Sequence, residues 1–336
     1  MAKLVGVSQA TVSRVLADSP LVSAQTRKRV KEVLEQVGYQ PNAAARTMRS
    51  QRSGTVGVVV ESLTNPFYPE LLRALGTELQ RCELQMILWD ADESPGVNAA
   101  VQAIEQRLVD GLLFTTATES SEPFRRALQR GAPLVLVNRT VDGCRCDQVG
   151  GDNERRATSI ARYFAQHGRD SIAMVGGPAE AETARQRMRG FRAGASEAGL
   201  SLPEDHIVDS DFSHDGGQRA MQRILSVTPT TNAVFCANDV IALGALDAIR
   251  TSGRIVPDDV WVVGYDDIAM ASWAAFDLTT ARQPLAKMAR SAVDMLRARI
   301  DTPNVPFAYH QFWNELIVRD STGHAPFDDH EGVTKT

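Results

Sequence analysis

The sequence predicts an α/β protein, with a core of parallel sheets covered by helices and a small all-α head before it. Three observations carry this. From Val56 onward, short β-branched or apolar runs alternate with amphipathic stretches, the texture of repeated βα units. The first 53 residues lack that texture and read as short helices. Charge divides at the same place: residues 1–53 hold nine Lys/Arg against three Asp/Glu, a net +6, so the remainder of this −5 chain carries −11. A basic head on an acidic body is the electrostatic footprint of nucleic-acid binding confined to one end.

In the head, Val12, Val15 and Leu16 share one helical face, and Gln9, Thr11, Ser13 and Arg14 share the other. Ser8 stands where an N-cap belongs, with Val7 before it as a staple. Such a helix suits a DNA major groove, where Gln reaches adenine, Arg forks onto guanine, and Ser and Thr hold phosphates. An ordinary solvated helix shows the same pattern. A turn at Asp18-Ser19-Pro20 follows, and Ser23 then caps a second helix with Val30, Val33, Leu34 and Val37 inward and Gly38 as its left-handed stop. A helix-turn-helix module needs a third helix, for which Ala2–Gly6 leaves barely one turn. Pro41–Arg49 is alanine-rich and basic, with little apolar face to bury. It reads as a linker, or as a segment that folds only on DNA with Met48 as a wedge into the minor groove.

Strands are expected at Val56–Val60, Leu84–Trp89, Gly111–Phe114, Leu134–Val137, Ile172–Val175, Ala233–Cys236 and Val260–Val263. Between them lie helical patterns such as Leu71/Leu72/Leu75/Leu79 and Val97/Val101/Ile104/Leu108. A region of this length suits two sheets better than one. Parallel α/β sheets bind ligands beyond the carboxyl ends of their strands. There the sequence places Asn65-Pro66-Phe67-Tyr68, Asp90, Asn138-Arg139, Asn238-Asp239 and Asp266-Asp267. Each alone is explained as a turn former or helix cap. As a group they suit a sugar or base, amides and carboxylates taking hydroxyls while rings cover apolar faces.

No apolar run reaches the roughly 18–20 residues of a membrane span, and the start lacks a signal-peptide core. Four cysteines show no disulfide framework, and Cys144-x-Cys146 reads as two reduced thiols. No histidine stands at zinc-ligand spacing. A reduced, cytoplasmic protein without metal or cofactor is expected. An enzyme is the least favoured class: no nucleophile sits beside a base, Gly176-Gly177-Pro178 is too short for a dinucleotide loop, and no phosphate loop occurs. Trp89 and Trp273 read as packing or cleft-rim residues.

From Ala2 to about Asp320 the chain resembles the LacI/GalR family of bacterial transcription repressors. The markers are Gly6-Val7-Ser8-x-x-Thr11-Val12-Ser13-Arg14-Val15-Leu16, Val22-Ser23-x-x-Thr26-Arg27, Gly38-Tyr39-x-Pro41-Asn42-x-x-Ala45 and Asn65-Pro66-Phe67. Further on stand Asn138-Arg139, Gly190-Phe191, Asn238-Asp239-x-x-Ala242-x-Gly244, Val263-Gly264-Tyr265-Asp266-Asp267 and Leu278-Thr279-Thr280-x-Arg282-Gln283-Pro284. Each is weak alone, but their order and spacing together are highly specific.

The resemblance implies a helix-turn-helix head at 1–41, a hinge helix at 42–54 and a two-lobed periplasmic-binding-protein-like core at 55–321. Lobe 1 would take about 55–152 and 284–312, lobe 2 about 153–283 and 313–321, and residues 322–336, which show no heptad, a disordered tail. It implies a homodimer whose two heads read a near-palindromic double-stranded operator, with Gln9, Ala10 and Arg14 on bases, and Ser8, Thr11, Ser13, Thr26 and Asn42 on the backbone. Met48 takes the place of the usual leucine lever. A small-molecule effector, a sugar or sugar derivative, would lie between the lobes on Phe67, Tyr68, Asn138, Thr183, Arg187, Phe212, Asn238, Asp266 and Gln283. Arg139 is read as pairing with protein carboxylates rather than with an acidic sugar. Relatives begin their first helix several residues earlier, so a misassigned start is expected in preference to a defective head. Two rival readings stay open: a cytoplasmic small-molecule binder with a silent head, and a regulator answering to a protein partner.

Overall fold

Apolar runs without polar alternation must be buried on both faces, which a parallel sheet between two helical layers achieves. Thr55–Val60 (β1) is buried along its whole length, Val56, Val58 and Val60 facing one helical layer and Val59 the other. The computed structural model describes residues 2–16, 19–37, 52–60, 63–91, 94–116 and 121–327. Contacts divide the chain between Gly54 and Thr55.

The first unit holds α1 (Ala2–Val5), α2 (Gln9–Leu16) and α3 (Ala24–Gln36). One turn of α1 suffices to bury Val5 against Val12, Val15, Val30 and Leu34. Ser8 accepts the Thr11 amide at 3.1 Å and Ser23 the Thr26 amide at 3.3 Å, so both caps stand where the sequence puts them. Arg27 Nη2 donates to the Ser19 carbonyl at 2.6 Å and closes the turn between α2 and α3.

In the second unit β1 is followed by α4 (Phe67–Arg81), β2 (Gln85–Asp90), α5 (Ser94–Glu105), β3 (Gly111–Phe114), α6 (Glu122–Gln129), β4 (Leu134–Val137) and β5 (Asp147–Gly151). The chain then crosses to a second lobe through α7 (Asn153–Gln166), β6 (Ile172–Gly176), α8 (Glu182–Glu197), β7 (Ile207–Asp209), α9 (His214–Val227), β8 (Ala233–Cys236), α10 (Asp239–Thr251), β9 (Trp261–Asp266) and β10 (Thr279–Arg282). It returns in α11 (Leu285–Asp301) and β11 (Tyr309–Phe312), and crosses once more into β12 (Glu315–Ile317). The result is two six-stranded sheets, β11-β5-β4-β3-β1-β2 and β12-β10-β9-β8-β6-β7. Every ladder is parallel except β10 with β12. The α/β class with two parallel sheets expected from the sequence is the one observed.

Gly190 lets α8 lie directly on α7: a Cβ there would overlap the Glu154 carbonyl, and Thr158 Oγ1 instead donates to the Gly190 carbonyl at 2.9 Å. The crossovers are buried and tied together. Asn314, fully buried between β11 and β12, donates to the Tyr265 hydroxyl, and Arg156 donates to its carbonyl.

Two expectations are corrected. Residues 322–327, assigned to a disordered tail, are placed on lobe 2. Tyr163 donates to the Ala325 carbonyl at 2.8 Å, and Phe327 meets the Tyr163 ring edge-on at 5.4 Å and lies under the Arg156 guanidinium. One aromatic in a polar stretch finds its partners far off in sequence, which local composition does not reveal; residues 328–336 lie outside the described residues. Cys144 and Cys146, read as reduced thiols, form a disulfide, their Cα atoms 5.5 Å apart and so within bridging range.

Candidate functional site

The ends of β1, β4, β6, β8 and β9 converge where the two lobes face each other. Asn65, Phe67, Tyr68, Asn138 and Arg139 come from lobe 1, and Thr183, Arg187, Phe212, Asn238 and Asp266 from lobe 2, around a cavity of about 20 Å³. That volume holds about one water, so the lobes stand closed on each other. Eight of the nine sequence-predicted effector residues line this cleft. Gln283 lies just behind it in the crossover, its Nε2 donating to Asp266 at 2.7 Å.

Local structure explains the placement. Asn65 accepts the Phe67 amide at 3.1 Å and starts α4, which buries Phe67 and Tyr68 edge-to-face at 5.5 Å. Asn138 follows β4 with φ +72°, a left-handed turn that a short polar side chain tolerates. Asn238 caps α10, accepting the Ile241 amide at 2.9 Å, and at the same time lines the cleft. Phe212 rests against Gly177, where a Cβ would overlap its ring. The Gly176-Gly177-Pro178 stretch thus makes room for an aromatic wall.

Arg187 organises the floor. Its Nε donates to Asn153 at 2.9 Å and its Nη1 to the Ala237 carbonyl; its Nη2 reaches Asp266 at 3.4 Å, and the guanidinium lies 3.6 Å over the Tyr265 ring. Burial pushes the Asp266 carboxyl up to about 6, against the opposing pull of Arg187 and Gln283. Burial likewise raises the Tyr265 hydroxyl to about 12. Beneath them Asp239, fully buried, accepts Thr280 Oγ1 at 2.5 Å and the Ile268 amide at 2.9 Å. Burial, and then the neighbouring Asp266 charge, hold its carboxyl well above the usual carboxylate range.

Asn138 Oδ1 in the lining and Gln283 Oε1 just behind it are buried with no hydrogen-bond donor, as is Asn314 Oδ1 in the crossover between β11 and β12. A buried orphan acceptor costs about 1–3 kcal/mol, which a ligand hydroxyl would recover. Orphan acceptors, an ionisable carboxylate, two guanidinium groups and three aromatic rings are groups able to take the hydroxyls and the apolar face of a small ligand. Asn65 and Arg139, which the site assignment from sequence omits, complete the lining, although both stand in motifs it quotes. Arg139, read as a partner of protein carboxylates, is buried with its guanidinium 5.9 Å over Phe212. Asn153, the support of Arg187, gives no local signal at all.

In the head, Gln9, Ala10 and Arg14 are exposed along α2. Ser8 and Thr11 share a hydroxyl hydrogen bond of 2.9 Å, Ser13 is half-buried, and Thr26 accepts from the Ser23 hydroxyl at 2.9 Å. Asn42 and Met48 lie outside the described residues.

Comparison with known proteins matches residues 1–42 to the model of bacterial regulatory proteins of the lacI family, and residues 161–322 to a periplasmic binding protein-like domain. The ribose operon repressor of Escherichia coli (strain K12) is 32% identical over 96% of this chain and 98% of its own length. The chain belongs to the lacI family. The HTH-type transcriptional repressor PurR of Aliivibrio fischeri (strain MJ11) is 28% identical over 96% of both chains. Among solved structures, a CelR–cellobiose complex superposes with a TM-score of 0.76 at 30% identity, covering 95% of this chain and 98% of that one. The lac repressor dimer bound to operator and ONPF shares the fold, with a TM-score of 0.84 at 24% identity over 96% and 97% of the two chains. This lacI-family protein is a DNA-binding transcriptional regulator and not an enzyme. No helix among its described residues is long and apolar enough to cross a membrane.

Proposed function

We propose that this chain is a cytoplasmic repressor that binds a near-palindromic operator as a homodimer and is controlled by a small monosaccharide held between its lobes. The observation that carries the effector reading is the buried, unpartnered acceptor on Asn138 in the lining of a cleft that also holds Asp266 and is walled by Phe67, Tyr68 and Phe212, with a second unpartnered acceptor on Gln283 just behind it. A ligand hydroxyl donating to Asn138 satisfies the first of them. The ribose operon repressor among the relatives points the same way, which makes D-ribose the first probe.

The DNA reading rests on the exposed Gln9, Ala10 and Arg14 in a basic head, with Ser8, Thr11, Ser13, Thr26 and Asn42 on phosphates and Met48 as the hinge wedge. The homodimer reading is supported by β2, an edge strand that exposes Met86, Ile87 and Leu88 in a row, each 37–40% accessible. Such an apolar edge calls for a cover.

Calorimetry of the full chain against D-ribose, cellobiose and hypoxanthine tests the effector reading. Heat with D-ribose alone supports it. Heat with hypoxanthine alone replaces the sugar by a nucleobase. No heat with any probe, with operator binding intact, would favour a protein partner.

A further inference from the structure

We propose that Glu70 and the Ala269 amide form a latch across the mouth of the cleft that sets how tightly the closed lobes hold their ligand. The proposal rests on the effector reading above, and Glu70 acts in it as a positioning residue, outside the cavity lining. Glu70 sits in the first turn of α4, in lobe 1, two residues beyond the cleft wall at Tyr68. Ala269 opens a 3-10 turn, Ala269–Ser272, in lobe 2. Its N–H donates to Glu70 Oε1 at 2.8 Å between residues 199 apart in sequence.

The backbone that presents this amide is built for the purpose. Asp266 and Asp267 both lie in the left-handed region, with φ +116° and +58°. Side chains rarely tolerate that conformation unless their surroundings enforce it, and such residues gather at ligand clamps. Here Arg282 and Arg319 each donate to Asp267 at 2.6 Å, and Gln283 holds Asp266. The bent segment then hands two successive amides to two carboxylates: Ile268 to the buried Asp239 within its own lobe, and Ala269 to Glu70 from the opposite lobe. Asp266, which lines the cleft, is therefore joined to the latch at Ala269 through the two constrained residues Asp267 and Ile268.

A second, neutral clasp spans the lobes elsewhere, where Gln186 Nε2 meets Thr140 Oγ1 at 3.3 Å. It is longer and carries no charge, so the Glu70 contact is the stronger of the two. Opening the lobes breaks both, while the packing within each lobe stays as it is. The latch thus favours closure without touching the ligand, and its strength enters the measured affinity as a population of the closed form.

The test compares Glu70→Ala and Glu70→Gln in the full chain by site-resolved amide exchange and by D-ribose calorimetry. Ala271 is the internal control, because its N–H bonds the Ile268 carbonyl within the same turn at 2.8 Å. In Glu70→Ala, exchange at Ala269 rises about tenfold while Ala271 is unchanged, and the D-ribose Kd rises about tenfold, the low end for a charge-assisted bond at a partly exposed site. Glu70→Gln keeps an acceptor and holds both readouts within about threefold of the unsubstituted chain. Unchanged exchange at Ala269 overturns the latch, and so does a rise shared by Ala271, which means that the turn has simply loosened. Faster exchange at Ala269 with an unaltered Kd overturns its role in affinity. If D-ribose does not bind the unsubstituted chain, the sugar reading fails, and the exchange comparison still decides the latch.

Discussion

Acidification from about pH 7.5 to about pH 5 should weaken effector binding about tenfold through Asp266 alone. Burial raises this carboxyl from 3.8 to about 6, with Arg187 and Gln283 holding it from going higher. A hydroxyl ligand donates to the ionised form. At about pH 7.5 nearly every molecule presents a carboxylate, whereas at about pH 5 only about one in ten does, and the apparent Kd rises in proportion. Fold stability runs the other way. A raised carboxyl binds its proton more tightly in the native than in the unfolded chain, so this contribution is fully present below about pH 4 and fades as pH climbs through about 6. Asp239, also raised by burial, has the same sign. Mild acid therefore releases the ligand while these two groups favour the fold. Calorimetry with D-ribose from about pH 5 to about pH 8, beside melting curves, reads both trends. Asp266→Asn should bind weakly at every pH and show a flat profile. A flat profile for the unsubstituted chain, or a pH dependence that survives in Asp266→Asn, would refute the assignment.

Asp147→Ala strands Arg299, which otherwise donates to both Asp147 oxygens at 3.0 and 3.1 Å and ties down the carbonyls of Pro303, Val305 and Pro306; a loss of about 3–5 kcal/mol is expected, seen as a fall in Tm on the order of 10 °C. Gly177→Val pushes the Phe212 ring out of the cleft and should raise the D-ribose Kd up to about tenfold, the worth of one stacked ring, with a fall in Tm of a few degrees because the added side chain also crowds Ala184. Val30→Ala removes two methyl groups from a head core of five buried residues, a loss of about 2 kcal/mol. Operator binding by anisotropy should collapse while effector calorimetry stays unchanged.

The sequence announces what local chemistry determines. Gly111–Phe114, Leu134–Val137 and Ala233–Cys236 are uninterrupted apolar runs between turn residues, and the strands end where those runs end. β5 is equally buried yet unreadable, because Asp147 and Gln148 are polar and their partners, Arg299 and the Val141 backbone, lie elsewhere in the chain or in the fold. β11 is an exposed edge of Tyr309, His310 and Gln311 and offers no periodicity to find. The cleft follows the same division. Asn138, Asn238 and Asp266 stand at strand ends and are visible in sequence. The placing of Arg187 over Tyr265, and its hold on Asn153, come only from packing two helices and two strands together. The Phe327 contact with Tyr163 and the Cys144–Cys146 bridge were likewise beyond what spacing and composition could tell.

The central claim, that effector binding in the core governs DNA binding by the head, is tested most directly by fluorescence anisotropy. The full chain is titrated onto the fragment upstream of its own operon across a salt series, with competitor DNA, with and without saturating D-ribose. Binding should resist competitor, weaken steeply with salt, and shift in affinity when the sugar is added. Binding no tighter than to competitor, or identical curves with and without a sugar that calorimetry shows to be bound, would contradict it.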